Sequence, residues 1–303
     1  MRWLILLCAF GCAREEKVPS EGVRAGELDM GVAAVSADMA QATGPLLKFA
    51  VFGDARPPLP EESWNYPSKT VKAIFAAAQS NGAQFVVGTG DYMNALTQSA
   101  VDQQLAQLVE AESQFSGPVY HALGNHECLT KTQVNCPKGD ESPAIRAYMD
   151  RLVPTGTAKP YYRVDFDTRF GKAKIILIAG NAWSNEQNDW LKHELADKTE
   201  YTFVVRHVPS GQDAPGVAES DAILQTFEAT TVFFVHEHEF RHLDSQHVIC
   251  GNGGAPLSDK NGFYGLLIVE QQADGNFALT ELDVATGMPV EGWRVTPLGQ
   301  PAP

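Results

Sequence analysis

Residues 46–56 read LLKFAVF followed at once by GDAR, an apolar run that ends in a small polar cluster headed by Gly53-Asp54. The same junction recurs. Residues 85–87 lead into Gly88-Thr89-Gly90-Asp91, and residues 119–123 into Gly124-Asn125-His126-Glu127. Further on, residues 174–178 lead into Ala179-Gly180-Asn181, residues 203–205 into Arg206-His207-Val208-Pro209, and residues 232–235 into His236-Glu237-His238. Short apolar runs bounded by glycine and polar residues read as buried strands. Helical spacing separates them over residues 70–79, 98–113 and 188–195, the last with Trp190, Leu191 and Leu195 on one face. Strands alternating with helices predict an α/β fold. Residues 263–270, 277–283 and 293–296 read as strands without helices between them. They predict a second sheet or an antiparallel edge on the first.

The 303 residues are 44% hydrophobic and 20% charged, enough apolar material for a sizeable core. A formal net charge of -14 argues against nucleic acid as a partner, which would call for a basic face. An anionic substrate is compatible with that charge if bound divalent cations dominate the local field.

Met1-Arg2 followed by an apolar run over residues 3–10 predicts an export signal, too short to span a membrane. Ala9-Phe10-Gly11-Cys12 resembles a bacterial lipoprotein cleavage box, which predicts lipidation on Cys12 and a place in the bacterial cell envelope. The alternative is a plain secretory signal and a periplasmic or secreted protein. Residues 13–46 are polar and rich in Ala and Gly without an apolar period, and predict a flexible linker between segment 1–12 and a domain over 47–303. Export permits disulfides. Cys128 and Cys136, with Asn135 and Pro137 marking a turn, are expected to bridge, leaving Cys250 as a buried thiol.

Ligands sit outside the carboxyl ends of strands in open α/β sheets. Asp54, Asp91, Asn125-His126, His207 and His236-Glu237-His238 all follow strands, so they are expected to converge. Carboxylate oxygen and neutral imidazole suit Mn, Fe, Zn or Co rather than Ca. Two such ions clamp an in-line displacement at phosphorus. A lone Asp after a strand is more often a turn or cap residue, and a lone His more often a satisfied core group. The series as a whole is what points to chemistry.

Taken in order and spacing, the clusters resemble the signature of calcineurin-like metallophosphoesterases over about residues 47–270. Residues 187–195 (QNDWLKHEL) and Gly251-Asn252-Gly253-Gly254 resemble that family's Gln-x-x-Trp-Leu helix and late glycine-rich turn. The resemblance implies two mixed β-sheets packed as a sandwich and flanked by helices. It implies one or two divalent transition-metal ions (Mn, Fe, Zn or Co), a phosphate-ester substrate, and hydrolysis by a metal-held hydroxide. It places Asp54 and His238 on the first ion, Asp91 between both, and Asn125, His207 and His236 on the second. His126 would protonate or stabilise the leaving oxygen, with Glu127 orienting it from behind.

Two positions depart from the family pattern. Arg56 stands where a His ligand is usual; an arginine stays protonated and cannot ligate a cation. The first ion is therefore expected to bind weakly, and Arg56 to grip the phosphate instead, the alternative being a structural ion pair. Val235 replaces the usual glycine before His236. Purple acid phosphatases, a neighbouring subgroup, carry a Tyr three residues after the second Asp; here that residue is Asn94, which predicts no iron–tyrosinate site. His121, His193, His242 and His247, Tyr92 and Trp183 are read as structural. The rival to an enzyme is a non-catalytic envelope lipoprotein that binds metal or phosphate on the same fold.

Overall fold

The computed structural model describes residues 44–130, 135–136 and 142–303. Segment 1–12 with its Cys12, and all of the expected linker up to residue 43, lie outside the described residues. Two six-stranded mixed sheets make up the domain. In the first, β1 (Lys48–Phe52) pairs in parallel with β2 (Phe85–Gly88), and β2 with β3 (Val119–His121). In the second, β4 (Tyr162–Thr168) lies antiparallel to β5 (Gly171–Ile178). From β5 the sheet runs parallel through β6 (Tyr201–Arg206) and β7 (Thr231–Phe234), then skips β8 (Phe240–His242) to reach β9 (His247–Cys250). The strands β10 (Gly265–Gln271), β11 (Phe277–Asp283) and β12 (Pro289–Val295) extend the first sheet beyond β1 as an antiparallel edge. This selects the second of the two alternatives for the C-terminal strands.

The helices are α1 (Ser68–Ser80), α2 (Gln98–Glu112), α3 (Pro143–Arg151), α4 (Asn185–Ala196) and α5 (Val217–Leu224). Period-two alternation decides what each strand buries. On β5, Ile175 and Leu177 face the core between the sheets, whereas Ile176 and Ile178 join Leu191 and Leu195 of α4 in an outer core. Aromatic rings knit the sheets together: Phe49 of β1 stacks on Phe85 at 5.0 Å and meets Phe203 of β6 edge-on at 5.1 Å. Packing on both faces explains why these strands read as continuous apolar runs. It also directs their polar continuations to the strand ends. Among the described residues no helix is long and apolar enough to cross a membrane.

Candidate metal centre

The carboxyl ends of β1, β2 and β3 in one sheet, and of β6 and β7 in the other, meet at one place. Bonds across the sheets hold them there. Asp54 Oδ2 accepts from the His236 backbone N–H at 2.9 Å, His207 Nδ1 donates to Thr89 O at 3.1 Å, and Gly253 N–H donates to Gly53 O at 2.9 Å. Gly90 and Gly124 are required by space. A Cβ on Gly90 would stand 2.6 Å from His207 Nδ1, and one on Gly124 would stand 2.3 Å from Asp91 Oδ1. Asp54, Asp91, His236 and His238 all adopt positive φ, at 56°, 61°, 74° and 44°. Non-glycine residues rarely do so, and clusters of them mark functional sites where the surroundings hold the strain.

Asn125 Oδ1 lies 3.0 Å from both His207 Nε2 and His236 Nδ1, and those two nitrogens are 3.3 Å apart. Asp91 Oδ1 is 3.4 Å from His207 Nε2. Ligand atoms about 2.1 Å from one ion, at right angles, stand about 3.0 Å apart, so these four side chains fit the edges of one coordination shell. The donor atoms of Asp91, His207 and His236 all lie within 4.8 Å of one another. The Thr89 carbonyl fixes the His207 tautomer that turns Nε2 inward, the usual support for a metal-ligating imidazole. Asp54 is fully buried, and its Oδ1 has no hydrogen-bond partner. Such an orphaned carboxylate oxygen is costly unless something cationic meets it.

Burial and mutual charge shift the titrating groups that meet here. Burial opposes the charge on Asp91, but His207, His126 and Arg56 outweigh it and hold its carboxyl well below the usual range. Burial likewise opposes the proton on His207, yet Asp91 raises the ring to about 9. Burial pushes Asp54 up to about 6 against the pull of His207. His236 falls to about 4 through burial and the neighbouring His207.

On the other side of Asp91 stands Arg56. Its Nε donates to Asp91 Oδ2 at 3.2 Å, Nη2 to His238 Nε2 at 3.0 Å, and Nη1 to Pro57 O at 3.3 Å. His238 Nδ1 donates to Pro256 O at 2.9 Å, and its Nε2 is 4.0 Å from Asp54 Oδ1. Of the two alternatives for Arg56, the ion pair is present, with Asp91 as its partner.

His126 donates its backbone N–H to Asp91 Oδ1 at 2.9 Å, and its Nδ1 meets Asn94 Oδ1 at 3.1 Å. Its Nε2 lies 3.8 Å from Asp91 Oδ2. Burial, with Arg56 and the other histidines adding to it, lowers the ring to about 4 despite Asp91. The expectation that Glu127 orients His126 requires correction. Glu127 turns under the turns that carry Asp91 and Asn125, where Oε2 accepts from the amides of Asp91 (2.9 Å) and Gly124 (2.8 Å) and Oε1 from that of Tyr92 (2.8 Å). The side chain on His126 is Asn94, a residue noted in the sequence only for not being tyrosine. Asn94 is clamped in turn by Gln104 of α2, whose amide group meets Asn94 N and O at 2.7 and 3.1 Å. The offset of Asn94 from Asp91 was its only signal.

Tyr92 is buried and its hydroxyl accepts from Gly90 N–H at 3.0 Å. His121 is buried against Glu112 at 2.9 Å, and His242 stacks on Trp293 at 4.0 Å. Cys128 and Cys136 are bridged, and Cys250 is free and buried. The Cys136 N–H also donates to Asn181 O at 3.0 Å, which ties Cys136 to the turn that follows β5.

The sequence profile of calcineurin-like phosphoesterases matches residues 47–240, and the chain belongs to that family. No curated protein matches it. Among solved structures it is similar to a purple acid phosphatase, PPD1, from yellow lupin (Lupinus luteus) seeds. The TM-score is 0.62 at 15% identity, over 84% of this chain and 54% of the lupin chain. It is also similar to a dimetal phosphatase from Danio rerio, with a TM-score of 0.58 at 14% identity over 84% of this chain and 99% of that one. The chain thus spans about half the length of the lupin enzyme. At such identities these likenesses establish the sandwich fold alone.

Proposed function

We propose that this chain is a metal-dependent hydrolase of phosphate esters, a phosphomonoesterase or phosphodiesterase. The observation that carries the reading is the meeting of Asp91, Asn125, His207 and His236 at ligand-to-ligand distances suited to one divalent ion. Mn, Fe, Zn or Co fits this mixture of carboxylate, amide oxygen and imidazole. Such an ion supplies Lewis acidity and an acidified water. The side chains around it do the rest. His126, held by Asn94 through Nδ1, presents Nε2 to the centre and serves the leaving oxygen by protonating it or stabilising its charge. Arg56 turns its remaining N–H bonds to the phosphoryl oxygens. Glu127 keeps the Asp91 and Gly124 turns in place.

The net charge of -14 favours small phosphate esters over nucleic acid. The apolar run over residues 3–10 and Cys12, read as an export signal and a lipidation site, support the reading of an exported protein, lipid-anchored in a bacterial envelope or otherwise periplasmic or secreted. A binding module without turnover is the second reading, favoured by the arginine at a ligand position. The test is to load the purified chain with Mn, Fe, Zn or Co in turn and to follow p-nitrophenyl phosphate and its bis-ester. Metal-dependent release of nitrophenol from either supports an enzyme. Tight metal and phosphate binding without release of nitrophenol supports the module.

A further inference from the structure

We propose that the Arg56 guanidinium takes the place of the first ion, so that the folded chain holds a single divalent ion beside a built-in organic cation. The inference rests on the metal-centre reading above and concerns how many ions that centre takes.

The two oxygens of Asp91 divide the site. Oδ1 faces His207 Nε2 at 3.4 Å, on the side where Asn125 and His236 complete a shell. Oδ2 faces Arg56 Nε at 3.2 Å. An ion on that second side would draw on Asp91 Oδ2, on His238 Nε2 and on Asp54. Arg56 already donates to the first two of these, which leaves Asp54 Oδ1, without a partner, as the one of the three still open and too little by itself to hold an ion. Because His238 Nδ1 is committed to Pro256 O, Nε2 carries the ring's only open lone pair, and that lone pair faces Nη2. A guanidinium has no lone pair to offer a metal and cannot shed its proton to make one. It would also repel a divalent ion placed within contact of it.

Local structure keeps the side chain there. Arg56 is nine-tenths buried, and Pro57-Pro58 follows it with fixed φ. The Pro57 carbonyl accepts from both Arg56 Nη1 (3.3 Å) and Asn94 Nδ2 (3.2 Å), so the residue that holds His126 also holds the loop that carries Arg56. Three of the five guanidinium N–H bonds are engaged in this way, which leaves two for a phosphoryl oxygen. A phosphate entering the centre would then meet one metal ion and one guanidinium, at fixed places on either side of Asp91.

Metal stoichiometry and spin state test this without recourse to activity. The full chain and Arg56→His are saturated with Mn(II), freed of loose metal by gel filtration, and measured by elemental analysis and electron paramagnetic resonance. The wild type is expected to hold one Mn per chain with an uncoupled six-line signal, with or without inorganic phosphate. Arg56→His is expected to hold two, with an exchange-coupled signal. Arg56→Ala, which vacates the same space, serves if the histidine variant does not fold, and should also gain an ion. His238→Ala should leave the wild-type count at one but return Arg56→His to one. Two ions in the wild type, or one in folded Arg56→His and Arg56→Ala alike, overturn the inference and leave the metal-centre reading standing. A wild type that binds no ion at all overturns both.

Discussion

Glu127 is a fully buried carboxylate whose two oxygens accept from three backbone amides, those of Asp91, Tyr92 and Gly124. Those amides belong to the turns that present Asp91 and Asn125. Glu127→Ala removes the acceptor from all three. A buried amide left unpaired costs about 1–3 kcal/mol, so the loss should reach roughly 3–9 kcal/mol, less whatever water recovers. Glu127→Gln is milder. Its amide oxygen can keep the Asp91 and Gly124 N–H groups, while its NH2 is forced onto the Tyr92 N–H, for about 1–3 kcal/mol. At about 2–4 °C per kcal/mol for a domain of this size, the glutamine variant should melt several degrees lower. The alanine variant should melt ten degrees lower or more, or fail to accumulate. Because Asp91 is held at a positive φ of 61°, metal affinity should fall along with stability. The assay is thermal melting by circular dichroism with Mn(II) titration of each variant. If both variants melt and bind metal like the wild type while turnover collapses, Glu127 acts on the chemistry and the buttress assignment is wrong.

Three other expectations follow from particular residues. Unfolded but unreduced mature protein should show no free thiol from Cys128 or Cys136. Replacing both by Ser should cost at most about 2–3 kcal/mol for a loop of sequence separation 8; free thiols at both positions would refute the bridge. Glu281 is buried with Oε2 unpartnered, and burial pushes its carboxyl up to about 8. The native state therefore holds this proton more tightly than the unfolded chain. Its contribution is complete below about pH 4.5 and declines as pH rises to about 8, at up to about 1.4 kcal/mol per pH unit. Glu281→Gln should flatten the fall of melting temperature over that window, and an unchanged pH profile would show that Glu281 is not the group responsible. Cys12→Ala should move the native protein from the detergent phase to the soluble phase if Cys12 is lipidated, and an unchanged soluble fraction would favour a plain secretory signal.

The strands flanking the site were legible because they are buried on both faces. Unbroken runs such as residues 49–52 and 203–205 need no partner to be recognised, and each ends in a polar cluster. Strand β4 reads YRVDFDT, an edge strand whose half-exposed alternation is a weaker signal than a buried run. Helices α3 and α5 span only 9 and 8 residues, too few turns for a periodic signal, and α5 starts from a left-handed glycine, Gly216, in place of a polar cap. In the candidate site, residue types and order were enough to pick out the side chains that meet there, since each follows a strand end. The second layer was not legible. Whether a glutamate after His126 turns toward that ring or under the neighbouring turns depends on chain brought in from β2, about 35 residues away in sequence. Arg56 is the intermediate case. The sequence places a cation where a ligand is expected, but only the fold shows that it bonds Asp91 and His238 at once.

The central claim is that Asp91 helps to hold the ion on which hydrolysis depends. The most direct test measures metal content and phosphate-ester turnover on the same preparations of wild type and Asp91→Ala. Asp91→Asn serves as a fold control, since Asn tolerates the left-handed backbone at this position. Bound metal and turnover are expected to disappear together in Asp91→Ala, while Asp91→Asn stays folded and loses most of both. An Asp91→Ala protein with wild-type metal content and wild-type rate would contradict it.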